Sequence, residues 1–461
     1  MQTLPLFARL AGRRCVVVGG GIVAERRLRQ LLSTGADVTI VAPHLADGTA
    51  ARVAQAQITH EPRAFRASDL DAAWLVVAAT DDRQVNEQVA QAATDARVFC
   101  NVVDDPALCT FFMPAIIDRE PITIAISSAG QSPVLSRRVR ELIEDAVPSR
   151  MGRLAALAGR WRERVAQALP DLDRRRHFWE AVLGGPVANH ALAGAEAAAE
   201  TELDRQLNDW RQRSESKDTG EAWIVGAGPG DPELMTRRGR TLLARADTVL
   251  FDRLVNPDIL QLARRDATLI PVGKIGGGPS FPQSKINELL VEHVRAGERV
   301  CRLKGGDPMV FGRVGEELNA LADAGLPFQI VPGVSAIEGC AAYAGIPLTL
   351  RDESQAILIA TGHTREHVES DLSGFQPRQT LALYMSIRRI DEVTQRLLDF
   401  GHASTLPAAI IENGTTSTQR VLQTTLGDLA ATAQRGRVGS PALVLIGETV
   451  RHASRFAWFG K

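Results

Sequence analysis

At 461 residues the chain is too long for one ordinary hydrophobic core, and its length suggests about three domains. With 53 basic and 54 acidic residues and a formal net charge of -1, nothing calls for nucleic acid or an anionic membrane as partner. An acidic substrate must then be gripped by local basic clusters. The five cysteines, Cys15, Cys100, Cys109, Cys301 and Cys340, are odd in number, scattered and mostly inside apolar runs, which reads as reduced core thiols rather than a disulfide framework. No segment approaches about 18 uninterrupted apolar residues. Arg9, Arg13 and Arg14 break up the N-terminus before a signal-peptide core can form, so the cytoplasm is the expected location.

From residue 1 to 113, short apolar runs alternate with helical patterns: "CVVVGG", "DVTIVAP", "AWLVVAAT" and "VFCNVV" are separated by amphipathic stretches such as 22 to 34. This alternation predicts parallel βαβ units in an α/β domain over 1–113. A further strand, "ITIAISS", leads through "AGQSP" to a helix with Ser132 as N-cap and Pro133 as its first residue. Beyond residue 134 the strand signals vanish, and Ala, Leu, Arg and Glu recur at helical spacing. Residues 134 to 213 therefore read as helical, and the whole of 114–215 is expected to be a helical region and a candidate dimerisation element. "RQRSESKDTG", residues 211 to 220, has the composition of a linker, and a second α/β pattern fills 216–461.

Two glycine turns invite comparison. In the first, Gly19, Gly21 and Ala24 fit G-x-G-x-x-A directly after a strand and at the head of a helix, the context that a dinucleotide fingerprint requires. The helix N-terminus then offers free N–H groups to a pyrophosphate. An acidic residue for the ribose hydroxyls is expected about 20 residues on, yet the second strand ends at Pro43-His44 without a carboxylate, which leaves NAD and NADP both open. A tight strand-to-helix turn with no ligand is the bland alternative. "AATDD", residues 78 to 82, supplies a second small-residue strand end beside the expected crevice.

The second turn, "IVGAGPGDPELMT" at 224 to 236, repeats the pattern with Gly226, Gly228 and Gly230 but carries Asp231 at the third fingerprint position. A carboxylate there would repel a phosphate, and Pro229 and Pro232 lack the N–H groups that cradle one. This loop suits a ligand without phosphates.

The second half carries a family likeness. "VGAGPGDPELMT", "DRLV" at 252 to 255, "VGK" at 272 to 274, "RLKGGDPMVFGR" at 302 to 313, "VPGVSAIEGCAAYAGIPLT" at 331 to 349 and "ENGT" at 412 to 415 together resemble the tetrapyrrole methyltransferases that use S-adenosylmethionine, uroporphyrinogen-III C-methyltransferase in particular. The N-terminal half, with "VVVGGGIVAERR", "AATDD", "FCNVVDDP" and "SSAGQSPVLSRRVRE", resembles the precorrin-2 dehydrogenase and ferrochelatase module. Fusion in this order is similar to the siroheme synthases. The likeness implies a Rossmann-like NAD-binding domain, a helical dimerisation region and a two-lobed α/β methyltransferase, working as a homodimer on uroporphyrinogen III, precorrin-2 and sirohydrochlorin. It implies methylation at C2 and C7, NAD-dependent oxidation and insertion of Fe(II) as a substrate.

The resemblance also assigns residues. Asp252 ends the run "DTVLFD" and Lys274 ends "TLIPVGK", both at C-terminal strand ends where open α/β sheets place ligands; by analogy Asp252 is the proton acceptor and Lys274 the proton donor. On their own a strand-end Asp is as often a turn former and a Lys after Gly is usually solvated. In "KGGDP", Gly305 and Gly306 let backbone approach a ligand and Asp307 offers acceptors for its hydroxyls or amine, a turn between strand and helix being the alternative. Pro229, Val310, Ser335, Ala336, Met385 and Gly414 join these in the S-adenosylmethionine site. The family often has Arg after the Lys and His before the later Pro-Gln, whereas this chain has Ile275 and "GGGPSFPQ", which leaves the tetrapyrrole carboxylate contacts of that loop open.

In the N-terminal half the likeness adds Ile22, Val23, Pro43 and His44 to the NAD site. It makes Asp104, next to Asp105, the base or transient metal ligand for iron insertion, although "DDP" is also a common turn sequence. Ser128 matches a loop position open to phosphorylation, which would oppose a polyanionic substrate, but Ser127 and Ser128 read more simply as loop formers. Arg137, Arg138 and Arg140 can grip carboxylates or present a solvated helix face, and a mixture of the two is expected. The rival readings are an N-terminal half that only scaffolds a dimer, motivated by the missing acid, or one that senses NAD without chemistry.

Overall fold

The structure is a computed structural model that describes residues 3–212, 220–273, 281–362 and 371–460. It divides into two compact units, Met1–Ser214 and Glu215–Lys461.

In the first unit the chain alternates β1 (Arg14–Val18), α1 (Ile22–Leu32), β2 (Asp37–Val41), α2 (Asp47–Gln55), β3 (Thr59–Glu61), β4 (Leu75–Ala78), α3 (Arg83–Ala96) and β5 (Phe99–Val102). All neighbours pair in parallel, in the order β3-β2-β1-β4-β5. Parallel strands covered on both faces need continuous apolar runs, and Val16, Val17, Val76 and Val77 are all fully buried. Each contributes on the order of 1.5–3 kcal/mol of burial. Strand order reverses between β1 and β4, so the two connections leaving their C-terminal ends diverge and open a crevice. Asp82 caps α3 by accepting from Gln84 N and Val85 N, which fixes the end of "AATDD".

After this sheet come β6 (Ala115–Arg119) and β7 (Ile122–Ile126), an antiparallel pair that joins no other strand. Only β7 is foreseen by the sequence. The two-residue connection Glu120-Pro121 lacks the Asn-Gly or Gly signal of a tight hairpin, so the first strand reads as loop. Ser132 caps α4 (Pro133–Ala146) through a bond from Leu135 N. Helices α5 (Met151–Ala168), α6 (Leu172–Leu183), α7 (Pro186–Ala193) and α8 (Glu196–Gln212) then build a separate core from Leu154, Leu157, Phe178, Val182, Leu203 and Leu207. Helix α8 runs into the polar stretch read as a linker, and the rest of that stretch up to residue 219 lies outside the described residues.

The second unit holds two sheets. The first combines β8 (Glu221–Gly226), α9 (Arg237–Leu243), β9 (Thr248–Phe251), α10 (Pro257–Leu260), β10 (Thr268–Pro271), α11 (Gln283–Arg295), β11 (Arg299–Lys304), α12 (Val314–Asp323) and β12 (Phe328–Val331). Its strands are all parallel, ordered β10-β9-β11-β8-β12. Helix α13 (Ala336–Ala344) leads into the second lobe, whose strands are β13 (Ala356–Thr361), β14 (Gln379–Tyr384), β15 (Pro407–Glu412), β16 (Arg420–Thr425) and β17 (Ala442–Ile446). These form a mixed sheet ordered β13-β14-β17-β15-β16. The α/β, two-lobed architecture expected for this half is the one found. Among the described residues no helix is long and apolar enough to cross a membrane.

Candidate functional site

The glycines of the first turn do different jobs. A Cβ on Gly19, whose φ is 118°, would lie 2.2 Å from the Ala79 carbonyl oxygen, and one on Gly20 would lie 2.0 Å from that of His44. These two are required by the chain itself, which folds "AATDD" and the Pro43-His44 loop against the turn. Gly21 differs: a Cβ there meets nothing within 4 Å, and α1 starts at this residue with no side-chain cap. The bare Cα and the uncapped first N–H groups leave room and donors for an anionic group at the helix head. Ile22 and Val23 are exposed beside it, as are Pro43 and His44. Ala24 does not face this space; it is fully buried in the core under the sheet, so its part in the fingerprint is close helix–strand packing.

Asp104 follows β5 in the left-handed region, at φ 61°, a conformation that Asp tolerates better than most residues. It shares a cavity of about 470 Å³ with Val23, Arg26, Arg27, Gln30 and Val103. The fold thus brings the head of α1 and Asp104 to one concavity, rich in guanidinium groups. Ser128 Oγ accepts from Ser132 N at 3.0 Å and Ser127 Oγ from Ala129 N at 3.1 Å, so both hydroxyls shape the loop before α4. On α4, Arg138 and Arg140 pair with Glu141 and Glu144 of the same helix at 3.2 and 3.5 Å, whereas Arg137 has no ion-pair partner among the described residues. All five cysteines are free, and burial pushes the Cys15 and Cys100 thiols up to about 11.

In the second unit one cavity of about 870 Å³ is lined from both lobes. Pro229, Asp252, Gly305, Gly306, Asp307, Val310, Ser335, Ala336, Met385 and Gly414 all line it. Gly228 and Gly306 form an antiparallel bridge, with N–H···O distances of 3.2 and 2.7 Å in the two directions, so the "GPGDP" and "KGGDP" loops are zipped backbone to backbone. Ala227 N donates to Lys304 O at 2.7 Å and Asp231 N to Thr415 Oγ1 at 2.9 Å. Pro229 and Pro232 contribute no donor, and the N–H groups of Ala227, Gly228 and Asp231 are bonded within the protein, which leaves the loop too few donors to wrap a phosphate.

Asp231 acts differently from the sequence-based expectation. It does not line the cavity: Oδ2 accepts from Tyr343 Oη at 2.7 Å and Oδ1 from Glu233 N at 2.9 Å, and this bond pushes the Tyr343 phenol up to about 12. The shortage of free backbone donors disfavours a phosphate here, while the Asp231 carboxylate is turned to Tyr343 and Glu233. Asp307 also serves the backbone, accepting from Met309 N at 2.8 Å and Gly333 N at 3.0 Å, with further lone pairs left for a ligand. Strained backbone collects around the cavity, where Phe311, Arg313, Met385 and Asn413 all have φ near +50°, the kind of clustering found at ligand clamps.

Asp252 follows β9 directly, as expected of a strand-end residue, and its Oδ1 accepts from Arg302 Nη2 at 2.6 Å. Lys274, Ile275 and the Gly276–Pro279 stretch lie outside the described residues. The sequence reading missed Arg302, Lys304 and Tyr384, which line the same cavity, and Glu317 behind them. The available signal was Arg302 and Lys304 alternating with Cys301 and Leu303 in a strand that "VC-R-L-K" otherwise marks as core.

The family models agree with this layout. "Putative NAD(P)-binding" matches residues 6–115, "Sirohaem biosynthesis protein central" 119–146, "Sirohaem synthase dimerisation region" 150–207 and "Tetrapyrrole (Corrin/Porphyrin) Methylases" 222–430. A siroheme synthase of Azotobacter vinelandii is 46% identical over 100% of this chain and 98% of its own length. Siroheme synthase 1 of Serratia proteamaculans is 47% identical over 100% of this chain and 96% of its own. The chain belongs to the siroheme synthase family. The siroheme synthase matches extend through both units and so cover both glycine turns. The dimerisation model spans most of α5 to α8, the helices with their own core.

Proposed function

We infer that the chain makes siroheme from uroporphyrinogen III in three reactions. Methylation at C2 and C7 to precorrin-2 takes place in the second unit; NAD-dependent oxidation to sirohydrochlorin and insertion of Fe(II) take place in the first. The observation that carries this reading is the convergence of loops from both sheets of the second unit on one cavity, with Asp252 at a strand end and most of the loop donors already spent.

S-adenosylmethionine, when bound there, supplies an electrophilic methyl group. Pro229, Gly305, Gly306, Val310, Ser335, Ala336, Met385 and Gly414 would hold it, and Asp307 would accept from its polar groups. Asp252 has one oxygen tied to Arg302 and the other available to take the proton that the macrocycle sheds. Lys274 is our proposed donor.

In the first unit the fit to a dinucleotide rests on Gly21, whose missing Cβ faces open space at the uncapped head of α1. NAD, when bound, accepts a hydride. Ile22, Val23, Pro43 and His44 would flank it, and Gly19 and Ala24 would keep turn and helix in place. Asp104 is our proposed base or transient ligand for Fe(II) entry, since two pyrrole N–H protons must leave as the metal arrives. Nearby Arg26 and Arg27 supply positive charge for the substrate's carboxylates. A phosphate on Ser128 would add negative charge at the head of α4 and oppose that binding.

A homodimer is part of the proposal. Val134, Leu135 and Leu142 on α4 are all more than half exposed, and the β6–β7 pair joins no larger sheet; a second copy would cover such a surface. Five unpaired thiols suit a reducing cytoplasm.

The test is one assay with uroporphyrinogen III, S-adenosylmethionine, NAD and Fe(II), followed by absorption spectra. Without NAD the reaction stops at precorrin-2, without Fe(II) it stops at sirohydrochlorin, and only the full mixture yields siroheme. Accumulation of precorrin-2 in the full mixture would reduce the first unit to a scaffold or sensor.

A further inference from the structure

Asp252 is one corner of a buried ring of charge. Arg302, whose side chain is 2% exposed, donates from Nη2 to Asp252 Oδ1 at 2.6 Å and from Nε to Glu317 Oε1 at 2.9 Å. Lys304 Nζ lies 3.0 and 3.2 Å from the two Glu317 oxygens and 4.0 Å from Asp252 Oδ2. Glu317 is fully enclosed, and Gln283 Nε2 adds a bond to its Oε1 at 3.2 Å. Two cations and two carboxylates therefore balance, and Asp252, with its side chain 31% exposed, is the member most open to the cavity.

Fold stability alone does not account for this arrangement. Taking the three enclosed charges of Arg302, Lys304 and Glu317 out of water is costly, and an apolar set of similar volume would fill the space without that cost. The geometry is also specific. Arg302 Nη1 is tied to the carbonyls of Leu250 and Leu303, both at 3.3 Å, so β9 and β11 fix the guanidinium plane and dedicate one arm of its fork to Asp252. Lys304 stands near enough to Asp252 Oδ2 to act through charge but too far to bond it. Burial is the largest influence on Lys304 and pulls its ammonium below the ordinary lysine range. Among the described residues the other charged residues lining the cavity are Arg253, Asp307 and Arg313; Asp307 is engaged by backbone N–H groups and Arg313 by Glu316.

We propose that Arg302, Lys304 and Glu317 are positioning residues for methyl transfer. Arg302 holds Asp252 Oδ1 so that Oδ2 alone meets the departing proton, Lys304 places a positive charge beside that oxygen, and Glu317 keeps both cations in their places. The proposal rests on the reading of Asp252 as the proton acceptor. None of the three touches the reacting atoms, so their loss should lower turnover and alter its pH dependence while the cofactor still binds.

The experiment compares full-length Arg302→Gln, Glu317→Gln and Arg302→Lys with the wild type, following methyl transfer against pH and S-adenosylhomocysteine affinity by calorimetry. Removing the cation at 302 should move the acidic limb of kcat up by about one pH unit, and removing the anion at 317 should move it down by a similar amount. Both should lower kcat by about tenfold to a hundredfold, with cofactor affinity nearly unchanged. Arg302→Lys should restore the limb but not the full rate, because it returns the charge without the fork. If a single substitution prevents folding, Arg302→Gln/Glu317→Gln removes one opposite pair and should return the limb toward the wild-type position. Limbs that stay fixed in every variant, with rate and affinity falling together, would overturn the proposal. Asp252→Asn separates the two ideas: an active variant sinks the proton-acceptor reading itself, whereas an inactive one with unmoved limbs elsewhere sinks only the positioning role.

Discussion

The two glycine turns look alike in sequence and differ in where their backbone donors go. At Gly19–Gly21 the close contacts involve only the first two glycines, and the third stands open at an uncapped helix head. At Gly226–Gly230 the backbone is bridged to Gly306, and the neighbouring N–H groups are consumed by Lys304 and Thr415. A glycine pattern therefore reports that backbone approaches something closely, and only the accounting of N–H groups tells whether that something is a phosphate or another loop.

The largest effects should come from breaking the chemistry that each turn serves. Asp252→Asn should cut methyl transfer by roughly 10²–10⁴-fold while added precorrin-2 is still carried to siroheme. Asp104→Ala should do the reverse, leaving methylation intact and lowering oxidation or iron insertion by about 10². Rate measurements on the separate half-reactions check both, and a variant that impairs both halves equally would deny the division of labour.

The glycines themselves sharpen the contrast within one turn. Gly19→Ala forces a Cβ into the Ala79 carbonyl at a φ of 118° and should destabilise the first unit by about 1–3 kcal/mol or more, seen as a lowered melting temperature. Gly21→Ala meets no protein atom and should leave melting unchanged while weakening NAD binding about tenfold, because the new methyl occupies the ligand's space. The smallest expected effect is at the second turn. Tyr343→Phe removes one bond to Asp231 and should cost about 1 kcal/mol, with a modest loss of S-adenosylmethionine affinity as the "GPGDP" loop loosens. A loss of NAD binding in this variant would contradict the assignment.

Much of this was legible in the chain because it follows from local pattern. The βαβ alternation, the Ser132 cap and the strand-end position of Asp252 each depend on a few neighbouring residues. What escaped depends on partners far along the sequence. Tyr343 lies 112 residues from Asp231 and Arg302 lies 50 from Asp252, and no local spacing announces either pair. Arg302 and Lys304 alternate with apolar residues as a solvated strand face would, so their burial is visible only once Glu317 on α12 closes over them. The β6–β7 hairpin was half hidden for a different reason, its connection lacking the usual turn residues. Ala24 fits the fingerprint but serves packing, a distinction that only burial reveals.

Two similar turns that hold two different cofactors should bind them independently. Calorimetric titration of the full-length chain and its Gly21→Val variant with NAD and with S-adenosylhomocysteine tests it most directly. The expected result is one site for each ligand in the wild type, neither competing with the other, and loss of NAD binding alone in the variant. Competition between the two ligands, or loss of both in Gly21→Val, would contradict it.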